Sequence, residues 1–183
     1  MWKVKSINIG GIYMVGMVIV SHSSKVAEGV RELSLQMVPD VPIASAGGTK
    51  DGRIGTDIDL IIDAIDKVYS DEGVILLFDL GSALMNAEMA LEMLNENLKD
   101  RVIIVDSPIV EGSVVASVEA SLNKGLKDVV KSAEDAKNMN KKGWVNSSFF
   151  YSFNAFRRLL ISIPWTMAAS SKDSIWLDGQ PTQ

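Results

Sequence analysis

Residues 17–30 read MVIVSHSSKVAEGV, and this stretch decides the fold class. The apolar run at 17–20 is typical of a buried strand, and from Ser24 onward the apolar residues recur at helical spacing. The polar turn between them holds His22, the one histidine of the 183-residue chain. A strand that ends against the start of a helix forms a common anion site, because free backbone N–H groups and the helix dipole both favour negative charge.

The same alternation of strand and helix continues to about residue 137. We predict strands at 14–20, 41–45, 74–78 and 101–105, and helices at 24–37, 56–69, 82–95, 110–122 and 126–137. Thr56 is expected to be the N-cap of the second helix. Strands that alternate with helices predict an α/β fold, a doubly wound and mainly parallel four-stranded sheet with helices on both faces and a flavodoxin-like strand order of 2-1-3-4.

The composition changes sharply near residue 138. Residues 139–183 carry five Lys or Arg against two Asp or Glu, and most of the aromatic residues of the chain fall there. We therefore predict one domain over residues 14–137, preceded by an N-terminal extension at 1–13. An atypical C-terminal tail at 138–183, either disordered or foreign to the domain, follows it.

The bulk composition excludes several classes of protein. The net charge of −5 and the absence of a basic cluster argue against nucleic-acid binding. The absence of cysteine excludes disulfides, thiolate nucleophiles and cysteine-ligated metals. The sequence contains no run of about 18 apolar residues, so it predicts no membrane-spanning helix. Asn8 and several glycines interrupt the apolar stretch at 7–20, so we expect no export signal and a cytoplasmic protein.

Two polar residues follow the strands that should meet in the middle of the sheet. Ligands of doubly wound sheets bind beyond the carboxyl ends of the strands where the strand order reverses, so His22 and Asp79 are expected to touch. A carboxylate bonded to one imidazole nitrogen leaves the other nitrogen nucleophilic. The loop Gly47–Gly55 is expected to offer backbone N–H groups, and the hydroxyls of Thr49 and Thr56, to phosphoryl oxygens. Reversible phosphorylation of an imidazole needs this combination.

Further site residues are expected within and beside these segments. The predicted phosphoryl- or partner-binding residues are Ser23, Gly47, Gly48, Thr49, Arg53, Thr56, Gly81 and Ser82. Arg53 is expected to serve partner recognition or loop anchoring, and no metal site is expected.

Other interpretations of the same residues stay open. Gly47 and Gly52 have the spacing of a nucleotide-binding P-loop, but the Lys-Ser/Thr pair of that motif is missing. The Asp residues of the second helix predict a solvated stripe rather than a metal site. Asp79 and Ser82 are also compatible with a plain strand end followed by a helix cap.

Three segments together resemble a known family. They are VIVSHS at 18–23, ASAGGTKDGRIGTD at 44–57 and FDLGSALMN at 78–86. They are similar to the phosphotransfer subunit of bacterial phosphoenolpyruvate-dependent dihydroxyacetone kinases, a relative of the mannose-class enzyme IIA domain of the sugar phosphotransferase system (PTS). The resemblance covers residues 14–137.

The resemblance implies a phosphoryl relay. His22 would accept a phosphoryl group on its tele nitrogen from the phosphohistidine of the carrier protein HPr, and Asp79 would orient it. The group would then pass to ADP held with Mg²⁺ in a nucleotide-binding partner subunit, and another subunit would present dihydroxyacetone. The family is homodimeric and cytoplasmic, and no cofactor is expected in this subunit.

Two related functions are the alternatives. One is an enzyme IIA domain that delivers phosphate to a sugar-transporting PTS, and the other is a regulatory module that is phosphorylated on histidine and passes the group no further. A receiver domain phosphorylated on aspartate is disfavoured, because the first strand ends in Ser-His-Ser and lacks the acidic pair that binds magnesium.

Overall fold

Four parallel strands form the centre of the computed structural model, which describes residues 14–141. The strands are β1 (Gly16–Ser21), β2 (Ile43–Gly47), β3 (Val74–Phe78) and β4 (Val102–Val105). They lie in the order β2-β1-β3-β4, and all three pairs of neighbours are parallel. The predicted fold class and strand order are therefore confirmed. The predicted extension at 1–13 and residues 142–183 of the predicted tail lie outside the described residues.

Helices cover both faces of the sheet. One layer consists of α1 (Ser24–Met37), α5 (Ile109–Ser121) and α6 (Leu126–Asp135). The other layer consists of α2 (Ile58–Val68), α3 (Gly81–Met93) and the single-turn α4 (Glu96–Lys99). A short 3-10 turn, Ala136–Asn138, follows α6.

The central strands are buried on both sides, as their continuous apolar sequence requires. Val18, Val20 and Leu76 pack in one cluster with the apolar faces of α2 and α3. Successive side chains of a strand point to opposite faces, so Met17 and Ile19 lie under the other helical layer. All five side chains are fully buried.

Several predicted boundaries shift in the structure. β1 and β2 begin and end later than predicted, so Ser21 and Gly47 belong to the sheet and are register partners. The prediction that Thr56 caps the second helix is wrong: Asp57 is the N-cap, and its carboxylate accepts the backbone N–H groups two and three residues later. The Thr56 hydroxyl instead bonds the side chain of Asn86.

The sheet order places the reversal of strand order between β1 and β3. The chain moves from β1 to β2 on one side and returns to β3 on the other, and both crossovers leave the sheet at its carboxyl edge. Val20 and Phe78 are register partners in these two strands. The residues that follow them, at the ends of β1 and β3, therefore meet at this edge, where ligands of doubly wound sheets bind.

Candidate active site

The imidazole of His22 and the carboxylate of Asp79 meet at the carboxyl edge of the sheet. His22 follows β1 and Asp79 follows β3, and these strands are neighbours. The Nδ1 atom of His22 lies 2.9 Å from Oδ1 of Asp79. The side chains of His22 and Asp79 are 22% and 18% exposed, so the pair is partly buried but still accessible to a docking molecule. The contact expected from the sequence is present.

The carboxylate of Asp79 accepts four hydrogen bonds. Its Oδ1 accepts from the backbone N–H of Leu80 at 2.7 Å as well as from the imidazole of His22. Its Oδ2 accepts from the Ser21 hydroxyl at 2.8 Å and from the backbone N–H of His22 at 2.9 Å. Each oxygen therefore has two donors, and the orientation of the carboxylate is fixed from both sides.

These bonds set the charge of Asp79. Burial alone would raise the pKa of the carboxyl group, but the bonds from the His22 backbone, the Ser21 hydroxyl, the His22 ring and the Leu80 backbone outweigh it. The pKa of Asp79 consequently lies below its ordinary value. The group is ionised at neutral pH and acts as a hydrogen-bond acceptor that orients the ring.

The second nitrogen of the ring faces Ser82. The Nε2 atom of His22 lies 2.6 Å from the Ser82 hydroxyl oxygen in the first turn of α3. Because ionised Asp79 can only accept, the proton of a neutral ring is assigned to Nδ1, and Nε2 then accepts from Ser82. The N-cap of α3 is Leu80, with no side-chain cap bond, so the Ser82 hydroxyl serves His22 rather than capping the helix.

Ser23 also adjoins His22, but its side chain has a different role. Ser23 is the N-cap of α1, and its hydroxyl accepts the backbone N–H of Val26 at 3.4 Å. Its own backbone N–H donates to the hydroxyl oxygen of Ser21 at 3.1 Å. The start of α1 is thereby tied to the hydroxyl that holds Asp79.

The glycine-rich loop supports His22 through its backbone. The N–H groups of Gly48 and Gly55 donate to the carbonyl oxygens of Ser21 and His22, at 3.1 and 2.9 Å. The N–H of Thr49 donates to the Arg53 carbonyl across the loop at 3.0 Å. These three donors are engaged within the protein, so the loop holds the backbone of His22 in place.

Two glycines make this close approach possible. A Cβ atom at Gly47 would lie 2.6 Å from the Ser23 carbonyl oxygen and 2.7 Å from the Cβ of Ala27. Gly48 has φ of +74°, a conformation that L residues rarely adopt. Glycine at both positions lets the loop pack directly against the start of α1.

The polar side chains of the loop bond to one another rather than to His22. The hydroxyl of Thr49 donates to the carboxylate of Asp51, and the guanidinium of Arg53 binds the same carboxylate at 2.6 Å. These two contacts hold the pKa of Asp51 below its ordinary value. The side chain of Arg53 is 80% exposed. The structure brings Ser82 to the imidazole and keeps the side chains of Thr49, Arg53 and Thr56 engaged elsewhere.

Two further residues, Ser21 and Asn86, shape this region, although neither was expected to be a site residue. Ser21 bonds Asp79, and its signal was a polar residue at the end of a fully apolar strand. Asn86 donates to the Thr56 carbonyl at 3.3 Å and to its hydroxyl, which ties α3 to the end of the loop. Asn86 closes the third quoted segment, FDLGSALMN, which was the available signal.

Residues 14–141 contain no metal-binding cluster and no membrane-spanning helix. That range holds no group of three or more His, Asp or Glu placed to bind a metal ion. Among the Asp residues of α2, Asp59 pairs with Lys50 at 2.5 Å. The helices of the described range all lack the length and apolar character required to cross a membrane.

Comparisons with known proteins identify relatives of this domain. The model of the family described as "PTS system fructose IIA component" matches residues 16–130. A "PEP-dependent dihydroxyacetone kinase 2, phosphoryl donor subunit DhaM" from Listeria innocua is 43% identical over 111 residues, or 60% of this chain and 89% of the relative. The Escherichia coli DhaM protein is 40% identical over 121 residues, or 64% of this chain and 26% of the relative. The chain thus spans nearly all of one relative and about a quarter of the other.

Solved structures share the fold. A crystal structure described as "unknown function protein EF1359" has a TM-score of 0.63 and 36% identity, and the match covers 72% of this chain and 99% of that one. A sigma-54 interaction domain protein from Enterococcus faecalis has a TM-score of 0.54 at 14% identity over 70% of this chain and 93% of that one. The second likeness is one of fold alone.

Proposed function

The chain belongs to the EIIA-man family of PTS IIA components, and on that premise we propose that it is the phosphoryl donor subunit of a phosphoenolpyruvate-dependent dihydroxyacetone kinase. The family match spans most of the described domain, and the Listeria innocua relative named as such a subunit is 43% identical. These findings confirm the resemblance noted in the sequence. The chain is accordingly a component of a phosphotransferase complex.

The proposal rests on one observation: the imidazole of His22 lies between a hydrogen-bond acceptor, the Asp79 carboxylate, and a hydrogen-bond donor, the Ser82 hydroxyl. Nδ1 of His22 faces ionised Asp79, and Nε2 faces the rim of the site, where Ser82 bonds it. The Nε2 lone pair can therefore act as a nucleophile. It attacks the phosphorus of a donor phosphohistidine, the N–P bond of the donor breaks as the Nε2–P bond forms, and the donor imidazole leaves with the electron pair of the broken bond.

The start of α3 provides the surroundings for the phosphoryl group on Nε2. The first N–H groups of a helix have no partner within the helix, and the dipole favours negative charge there. Ser82 turns its hydroxyl from the Nε2 lone pair to a phosphoryl oxygen as the group arrives. Gly81 leaves open space beside it, because a Cβ atom there would have no heavy atom within 4 Å. Asp79 balances the positive charge of the phosphorylated ring.

Partners complete the reaction. The proposed donor is phospho-HPr, and the acceptor is ADP held with Mg²⁺ in a nucleotide-binding subunit, from which dihydroxyacetone bound to a further subunit is phosphorylated. The exposed apolar side chains of Ile54 and Leu80, 76% and 61% exposed, flank the site and suit the docking of a protein. We further propose that the subunit is a cytoplasmic homodimer, with Arg53 assisting partner recognition and no cofactor of its own.

The decisive test is phosphoryl labelling. Incubation with labelled phosphoenolpyruvate, enzyme I and HPr should place one acid-labile, base-stable phosphate on the chain, and the subsequent addition of the ADP-loaded subunit should remove it. The His22→Ala variant should take up none, whereas Ser34→Ala, a change far from the site chemistry, should label normally. A label that survives in His22→Ala would refute the proposal.

The alternative functions give different outcomes in the same assay. The matched family model is described as a sugar PTS component, which favours testing a sugar-specific acceptor in parallel. Transfer from His22 to a sugar permease component, without transfer to the ADP-loaded subunit, would identify an enzyme IIA domain of a sugar transporter. A phosphate that persists with both acceptors would identify a regulatory module.

A further inference from the structure

The hydroxyl of Ser21 lies behind the catalytic pair, fully buried at the end of β1. Its oxygen is 2.8 Å from Oδ2 of Asp79 and 3.1 Å from the backbone nitrogen of Ser23. The hydroxyl of Ser21 has one proton to donate. The Asp79 carboxylate can only accept and the Ser23 N–H can only donate, so the hydroxyl proton goes to Asp79. Ser21 therefore links the start of α1 to the carboxylate that contacts His22.

Other buried serines of the described residues differ from Ser21. Ser107, Ser113 and Ser117 donate to backbone carbonyl oxygens of helices. Ser34, which is also fully buried, has a hydroxyl with no hydrogen-bond partner. Within residues 14–141, Ser21 is thus the buried serine whose hydroxyl binds a charged side chain.

We propose that Ser21 is a positioning residue, which holds the Asp79 carboxylate in the orientation that keeps the proton of His22 on Nδ1 and leaves Nε2 free to accept the phosphoryl group. This inference rests on the proposed phosphoryl transfer at His22. It assigns to Ser21 no contact with the reacting atoms.

The geometry explains why one hydroxyl matters. The short side chain of Asp79 can rotate about its terminal bond, and its Oδ2 has two anchors, the Ser21 hydroxyl and the His22 backbone N–H. Loss of the hydroxyl leaves Oδ2 with one donor, the backbone N–H of His22, and this is the residue whose ring must be oriented. The carboxylate then samples rotations in which the His22 ring loses its acceptor at Nδ1.

The test uses Ser21→Ala, which removes the donor and little volume, with Ser34→Ala as the matched control. Both changes delete the hydroxyl of a fully buried serine, but the hydroxyl of Ser34 has no partner. Ser21→Cys is the second variant, because it keeps a side chain of similar size with a much weaker donor. Thermal melts of all the variants, monitored by circular dichroism, establish that each is folded.

The first readout is the tautomer of the ring. The chain contains one histidine, so in protein purified without a histidine tag every imidazole nitrogen signal belongs to His22. We expect ¹⁵N NMR to show the Nδ1–H form in wild type and in Ser34→Ala. Ser21→Ala should show a larger share of the Nε2–H form, and Ser21→Cys should fall between them.

The second readout is transfer from phospho-HPr. We expect kcat for phosphorylation of Ser21→Ala to fall about tenfold, because a hydrogen bond to a charged group is lost, while KM for phospho-HPr stays unchanged. Wild-type tautomer and wild-type kcat in Ser21→Ala would overturn the inference, as would an equal loss in Ser34→Ala.

The two readouts separate this inference from the proposed function. If wild type accepts phosphate normally and Ser21→Ala changes neither readout, the role of Ser21 is refuted and the proposed function stands. If wild type accepts no phosphate but the ring tautomer depends on Ser21, the proposed function fails and the control of the ring by Ser21 stands.

Discussion

Two segments support His22, and they do so in different ways. The turn after β3 offers side chains, since Asp79 and Ser82 each bond one nitrogen of the imidazole. The loop between β2 and α2 offers backbone, since the N–H groups of Gly48 and Gly55 hold the carbonyl oxygens at the end of β1 and at His22. The turn after β3 controls the hydrogen bonding of the two ring nitrogens, and the loop between β2 and α2 controls the position of the His22 backbone.

The largest expected effect comes from breaking the first segment with Asp79→Asn. An amide can present its NH₂ group to Nδ1, which forces the ring proton to Nε2 and blocks the nucleophile. We expect the rate of phosphorylation by phospho-HPr to fall at least about a hundredfold, as in other sites where an orienting carboxylate becomes an amide. A time course of phosphoryl labelling, quenched at short intervals, measures the rate of phosphorylation.

Asp106→Asn is the matched control for Asp79→Asn. Asp106 follows β4 as Asp79 follows β3, but it pairs with Lys137 and is 78% exposed. Its substitution should leave the labelling rate unchanged. A rate of Asp79→Asn within twofold of wild type would show that the carboxylate does not orient the ring, whatever the control does.

The charge of Asp79 gives the same variant a pH signature. The pKa of Asp79 is lowered in the folded protein, so its ionised form stabilises the fold at every pH above the unfolded value of about 3.9. That contribution is lost as the pH falls through the lower folded pKa. The difference in unfolding free energy between wild type and Asp79→Asn should therefore be constant near neutrality and shrink in acid, in urea titrations at a series of pH values.

The next effect comes from breaking the second segment with Gly47→Ala. The added methyl group would meet the Ser23 carbonyl oxygen at 2.6 Å, and that backbone belongs to the start of α1. We expect a loss of about 1–3 kcal/mol in unfolding free energy, because either the loop or the helix must shift. Phosphorylation should slow as well, since the shift moves the backbone on both sides of His22.

Gly29→Ala is the control for the glycine change. Gly29 lies inside α1, and a Cβ atom there would meet no heavy atom within 4 Å. The substitution should stabilise the protein by about 0.5–1 kcal/mol, as alanine does in a helix interior. Equal stability of Gly47→Ala and Gly29→Ala in urea unfolding would contradict the close packing of the loop.

The contrast between the segments also explains what the sequence could predict. The apolar run of β3 has the bounds expected from its composition, and the placement of His22 and Asp79 after neighbouring strands predicts their contact. Strand order and side-chain type are enough for that inference, because parallel strands bring their carboxyl ends to one edge.

Other details depend on competition that the sequence leaves open. Thr56 and Asp57 are both good N-cap residues. Asp57 is the N-cap in the structure, because the hydroxyl of Thr56 bonds the side chain of Asn86, which lies 30 positions further along the chain. The single turn α4 is too short to show a helical period. The loop was expected to present its N–H groups to phosphate. In the structure the N–H groups of Gly48, Thr49 and Gly55 donate to carbonyl oxygens, and that of Arg53 donates to the Thr49 hydroxyl, contacts that depend on tertiary packing.

The smallest expected effect comes from Arg53→Ala, which probes the side chains of the loop. The guanidinium is 80% exposed and binds Asp51 rather than the imidazole. If the loop acts on His22 through its backbone alone, kcat for phosphorylation and the melting temperature should both stay at the wild-type value. A rise in KM for phospho-HPr or for the nucleotide-binding subunit, stronger at low salt, would assign Arg53 to partner recognition. A fall in kcat with KM unchanged would instead place a side chain of the loop in the chemistry and end the distinction between the two segments.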